Sequence, residues 1–181
     1  MAKPLPSVLT VGLTALTAFS ILFATQVITQ PIIDNRLNQT YLDLLDLNAF
    51  TGYTLGEVEV ASGELLDEGI QTYRSYSMGD EVVAMTYEVV TNGYASGLSY
   101  QVGIREGVIR KLVIIQHAET VGFGADALLD FPEAIEQLPI ADTNAWTAAL
   151  LTVSTGATFT RRGVINSLTA IRDDYALRIG A

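Results

Sequence analysis

The stretch Ser154-Thr155-Gly156-Ala157-Thr158-Phe159-Thr160 runs into Arg161-Arg162 and then into a segment with helical periodicity. Hydroxyls, a glycine and two guanidinium groups at the start of a helix outline an anion site. The first backbone N–H groups of a helix lack internal partners, and the helix dipole favours negative charge there. Gly156 lets the backbone come close to a phosphate, and Arg161 and Arg162 bring charge that neutralises one. A plainer reading stands beside this one. Thr158 or Thr160 is then an N-cap, the loop a polar turn, and the arginines point to solvent.

Composition narrows the remaining chemistry. The 181 residues include no cysteine, which excludes thiol catalysis, iron–sulfur clusters, disulfides and Cys-based zinc sites. The single histidine, His117, leaves little room for a His-based metal site. Redox chemistry, if the chain performs any, must come from a bound organic cofactor. The formal net charge is −10, a field that repels phosphate backbones and argues against nucleic acid as a partner.

Hydrophobic residues make up 49% of the chain, and much of that excess lies at its start. Pro4 to Ile33 contains no charged residue. A helix needs roughly 20 apolar residues to cross a hydrocarbon core of about 30 Å, and residues 8 to 28 meet that length. A cleaved signal peptide is the alternative, but the apolar core is long and no A-x-A site follows it. Residues 1–33 therefore read as an N-terminal transmembrane anchor, and 34–181 as one extracytoplasmic domain. Lys3 precedes the span while Asp34 and Arg36 follow it, a slight bias that puts the N-terminus in the cytoplasm.

The domain reads as α+β. Residues 34–50 have helical spacing, with Leu37, Tyr41, Leu44 and Leu45 on one face, and 51–69 read as loop with one short strand. Alternation and turn signals give four strands at 70–78, 81–91, 98–105 and 108–116, joined by short turns into an antiparallel meander. The apolar run closing the last strand suggests a central position. A helix around 125–138, kinked or divided by Pro132, is followed by a loop to residue 154. An amphipathic helix over about 161–178 then buries Val164, Leu168, Ile171 and Tyr175.

With these elements in place, the motifs resemble a known family. STGATFT resembles the S/T-G-A-T-x-T/S signature of the FMN-binding domain shared by the G subunit of Rnf electron-transport complexes and the C subunit of sodium-translocating NADH:quinone reductases. His117-Ala118-Glu119-Thr120-Val121-Gly122-Phe123-Gly124 is similar to that family's H-x-E-T-P-G-L-G segment, and Gly93-Tyr94 to its G-Y-x-G-x-I stretch. The resemblance implies FMN joined by a phosphoester to Thr158 and installed by a flavin transferase, with Thr155, Gly156 and Ala157 matching the three residues before the ester. It also implies an electron-transfer subunit of an ion-translocating complex in the plasma membrane, with the other subunits as partners. The chain's length favours the Rnf G subunit.

Glu119 and Thr120, with the Gly122-Phe123-Gly124 backbone, are then expected to line the flavin's slot, alongside Thr160 and Arg161. A structural turn with Glu119 in solvent is the alternative, and His117 is either a polar strand end or a proton relay. One position departs from the family. Thr152 stands where an acidic residue read by the transferase is usual, and Val153 and Ser154 also differ. That departure supports a second reading, an anchored structural or assembly subunit of the same fold without covalent flavin. A free-standing flavoprotein is a third.

Overall fold

The computed structural model describes residues 7–153 and 157–179. Two compact units emerge, Met1–Thr40 and Tyr41–Ala181. The described part of the first belongs to helix α1 (Ser7–Leu44), whose last turn falls in the second unit. Leu16, Phe19, Leu22, Phe23 and Val27 are all exposed. Among the described residues no helix is long and apolar enough to cross a membrane. Of the expected span 8–28, the side chains at 8–14, 21, 24 and 28 lie outside the described residues.

The second unit is an antiparallel sheet with helices against it. Its strands are β1 (Thr54–Leu55), β2 (Glu59–Val60), β3 (Ile70–Met78), β4 (Glu81–Thr91), β5 (Leu98–Arg105) and β6 (Val108–Gln116). They are arranged in the order β1-β3-β4-β5-β6, with β2 also on β3. The four long strands coincide with the alternation in the sequence, because one face of each is buried and the other less so. On β5, Leu98, Tyr100, Val102 and Ile104 are fully buried. On β4, Met85, Tyr87 and Val89 join the same core. Val83, which strict alternation would place beside them, is only half-buried. The opposite face carries a smaller cluster in which Leu45, Tyr76 and Ala84 are covered by Tyr41 and Phe50. Arg105 on β5 donates to the carbonyls of Leu45 and Asp46 at 2.7 and 2.6 Å, satisfying acceptors that a helix end leaves open.

Four expectations are corrected. The segment 51–69 holds two short strands and a helical turn, α2 (Glu64–Asp67), where one strand was expected. β6 lies at the sheet's edge. Its apolar run Leu112-Val113-Ile114-Ile115 suggested burial on two faces, yet Ile115 is exposed, and periodicity carries no information about how many strands flank a run. The start of that edge is covered by Gln137 and Leu138, which exchange backbone hydrogen bonds with Ile109 at 2.7 and 3.0 Å.

Helix α3 (Gly124–Ile135) runs through Pro132 undivided and stops at Ile135, short of the expected 138; Gln137, at φ 67°, is no longer helical. The supposed loop after it contains α4 (Thr143–Val153). Its threonines and narrow buried pair, Trp146 and Leu150, hide its period. Its start was marked by Asp142, whose Oδ1 accepts the Ala145 N–H at 3.0 Å as an N-cap does.

Helix α5 (Thr158–Ile179) is the long amphipathic helix expected, starting three residues earlier. Thr160, Gly163, Val164, Ser167, Leu168, Ile171, Asp174 and Tyr175 form its buried stripe, the i, i+3, i+4, i+7 spacing of a core-facing helix. Half of that stripe is polar. Ser167 shares a hydrogen bond with Tyr100, and Tyr175 Oη accepts the Gly107 N–H at 2.8 Å. Tyr87 Oη donates to Asp174 Oδ2 at 2.9 Å, which also pairs with Arg178 Nε at 2.8 Å. Arg178 lies 4.0 Å over the Tyr73 ring.

Asp174 is 7% exposed, so its removal leaves both Tyr87 and Arg178 without their buried acceptor. Asp174→Ala is expected to cost about 3 kcal/mol, read as a lower urea midpoint with an unchanged m-value. A second expectation concerns pH. Burial pushes the Tyr76 hydroxyl up to about 12 and raises those of Tyr100 and Tyr87 as well, the latter also opposed by the Asp174 charge. An unfolded tyrosine ionises near 10, so the folded state holds these protons to higher pH. The stability they contribute is complete below about pH 10 and is lost as the pH rises from there towards about 12. Urea midpoints should therefore fall across that window; a midpoint that stays level from about pH 10 to 12 would contradict it.

Candidate functional site

Three loops converge at one end of α5. They are the β4–β5 connection at 92–97, the turn 117–123 leading into α3, and the first turn of α5. Glu119 joins them. Its side chain is 7% exposed. Oε2 accepts from Thr160 Oγ1 at 2.7 Å, and Oε1 from the Ala95 N–H at 3.1 Å. A buried carboxylate is costly unless its oxygens find donors, and here each oxygen has one.

Two glycines make that arrangement possible. A Cβ on Gly93 would fall on Glu119 Oε1, and one on Gly124 would fall on Oε2 and lie 2.8 Å from Thr160 Oγ1. Both backbones approach the carboxylate more closely than any other residue permits.

Beside this clamp lies a cavity of about 290 Å³ lined by Tyr94, Glu119, Thr120, Phe123, Gly124, Ala157, Phe159 and Thr160. Tyr94 and Phe159 stand at its mouth with ring centroids 6.4 Å apart and planes 56° to one another. Both are largely exposed, as is Phe123. The volume falls just below the roughly 300–1,000 Å³ typical of small-molecule pockets. It suits a flat apolar group inserted between aromatic walls, with the rest of the ligand outside. The outside region next to it is the N-terminus of α5. That helix has no acid in its first turn, so its positive end is not neutralised from within the turn.

The sequence-derived site is brought together in large part. Glu119, Thr120, Gly124, Ala157 and Thr160 all line the cavity. Thr158 begins α5 and is exposed, between Ala157 and Phe159 of the lining. Arg161 is half-buried one residue beyond the lining, and its N–H bonds the Ala157 carbonyl at 2.9 Å. Thr155 and Gly156 lie outside the described residues, as does Ser154.

Gly122 does not reach the cavity. At φ 87° it shapes the turn into α3, and its N–H donates to Asp126 Oδ1 at 3.2 Å. The N-cap reading of Thr160 fails, because its hydroxyl is given to Glu119. Glu119 is likewise not in solvent. His117 is exposed beyond the end of β6 and is not part of the lining. Sequence reasoning missed Tyr94 and Phe159 as site residues. Their signal was an aromatic residue in each of two polar glycine-containing motifs, where no core demands one.

The fold and site together describe an α+β domain with an aromatic-walled cavity beside the start of a helix. Residues 93–172 match the family model of the FMN-binding domain. The matched segment includes every residue that lines the cavity, and it supports FMN as the cofactor and a redox, electron-transfer role. No curated protein matches the chain. The residues present fit such a group, with aromatic walls for the ring and, at Thr158, an exposed hydroxyl where the helix favours a phosphate.

The closeness of the glycine backbones gives a test of the clamp. Gly124→Ala is expected to displace the Glu119 carboxylate and break the Thr160 bond, at a cost of about 1–3 kcal/mol. Thermal melting of the variant beside the wild type checks this, and equal melting temperatures would show that the contact has slack.

Proposed function

We propose that this chain is a membrane-anchored electron-transfer subunit of an Rnf-type ion-translocating oxidoreductase, carrying FMN as a phosphoester on Thr158. The observation that carries the reading is the position of Thr158, exposed at the first residue of α5 between two residues of the cavity wall. A phosphate esterified there sits at the positive end of the helix, close enough to Ala157 and Phe159 for the attached ring to enter the cavity. When bound, FMN supplies reversible electron uptake, which no side chain of this cysteine-free protein supplies. The chain's part is to tether the phosphate at Thr158 Oγ1, to hold the ring between Tyr94, Phe123 and Phe159, and to leave one edge open for exchange with a neighbouring carrier.

The remaining parts of the proposal follow from the sequence. The charge-free run from Pro4 to Ile33 and the exposed apolar side chains of α1 support insertion in the lipid bilayer of the plasma membrane, N-terminus cytoplasmic and domain outside. Partners are the other subunits of the complex and the flavin transferase that makes the ester. The second reading, an anchored structural subunit without covalent flavin, is favoured by one observation. Thr152 is exposed on the last turn of α4, and its hydroxyl is turned back to the Ala149 carbonyl at 2.7 Å. It offers a transferase no charge where the resembling family has one.

In-gel flavin fluorescence of the denatured chain decides between these, with protein taken from cells that contain its native transferase. Fluorescence in the wild type that disappears in Thr158→Ala is the expected result. A dark wild-type band, from protein that also lacks flavin absorbance before denaturation, would put the structural-subunit reading in its place.

A further inference from the structure

Glu119 is the only acidic side chain among the described residues that line the cavity. Its two hydrogen-bond donors, the Thr160 hydroxyl and the Ala95 amide, are both neutral groups. Each oxygen of the carboxylate accepts one of these bonds, but neither neutral donor neutralises the charge it carries into a buried site. The charge therefore calls for a use.

The cavity supplies one. Glu119, a residue of its wall, is only 7% exposed, so its charge is screened less than one standing in water. We propose that the Glu119 carboxylate sets the reduction potential of a flavin ring held in this cavity, keeping it low by opposing the charge that reduction adds. This rests on the FMN occupancy proposed above. Two-electron reduction with uptake of one proton adds one net negative charge to the ring. A fixed carboxylate in the wall disfavours that product relative to the neutral oxidised ring.

The hydrogen bonds set the size of the effect. The Thr160 hydroxyl, donating at 2.7 Å, draws off part of the charge and holds the carboxylate against α5. Through Ala95 the same carboxylate holds the loop that carries Tyr94, and through Thr160 the turn that carries Phe159. One side chain thus fixes both the walls of the slot and the field inside it. A residue with only a mechanical role would act on the first and not on the second.

Two substitutions separate these effects. Glu119→Gln keeps the length and shape of the side chain while removing its charge; its oxygen can still accept from the Ala95 N–H and its amide N–H can donate to the Thr160 hydroxyl. Thr160→Val keeps the charge and removes its donor. The full chain, purified from cells with its native transferase, is titrated spectroelectrochemically in all three forms, with circular dichroism to establish folding. Glu119→Gln is expected to shift the midpoint potential upward, and Thr160→Val to shift it downward.

Folded variants that both titrate at the wild-type potential overturn the inference and leave the FMN reading standing. An upward shift in Thr160→Val also overturns it, because the charge is retained there. If Glu119→Gln does not fold, Thr160→Val decides alone, a downward shift sustaining the proposal and no shift ending it. A wild-type chain that holds no flavin defeats the FMN reading, and this inference falls with it.

Discussion

The second unit turns on how α5 is fixed against the sheet, and at the site end that is done by one buried carboxylate. Glu119 sits in a turn between a strand and a helix, yet its two oxygens reach a loop and another helix that are distant in sequence. The β5–β6 ladder sets the loop and the turn beside one another, and the Thr160 side-chain bond to Glu119 holds the first turn of α5 against them. The glycines at 93 and 124 are a consequence. Where two backbones must close on one carboxylate, a Cβ on either would occupy the space of its oxygens. The cavity follows in turn, as the room left between three segments held in contact at Glu119.

Farther along α5 the same device recurs with other chemistry. An amphipathic helix docked only by aliphatic residues can slide or rotate by part of a turn at little cost, because the hydrophobic effect is non-directional. Hydrogen bonds at Thr160, Ser167, Asp174 and Tyr175 fix both its rotation and its register on β4 and β5. Asp174 illustrates the balance. It is buried, but Arg178 and Tyr87 bond it, and Tyr73, beneath Arg178, passes a further bond to Glu59 on β2 at 2.8 Å. The helix is thereby tied to the small strand β2 beside β3.

How much of this was legible beforehand depends on what each pattern reports. Period-2 alternation reports a strand with one buried face, and the four long strands were read from it to their ends. The 3.6 period of Val164, Leu168, Ile171 and Tyr175 marked α5 equally well. Edge position was not legible in β6, since an apolar run records covered faces and not paired neighbours. Helix α4 escaped because two buried residues one turn apart make no stripe. At the site, the motif residues Glu119, Thr120, Gly124, Ala157 and Thr160 could be named in advance, but their partition into wall and clamp could not. The bond from Thr160 to Glu119 spans 41 positions, and no local pattern encodes a contact of that range. Tyr94 and Phe159 were hidden for a related reason, because an exposed aromatic residue has a purpose only once its partner is known.

The form of the cavity bears on the kind of function it suits. An enzyme that converts a substrate gains from enclosing it, excluding water and surrounding the reacting atoms with fixed dipoles. This cavity does little of that. It is small, its aromatic residues are largely exposed, and the hydroxyl proposed to carry the cofactor stands outside it. An electron carrier has different needs. It must not lose its cofactor, and it must let the ring edge approach another centre. A tether at a helix start meets the first need without deep burial of the ring, and an open aromatic mouth meets the second. What little enclosure remains is placed where it counts, around a fixed negative charge whose effect on a bound ring depends on being shielded from water.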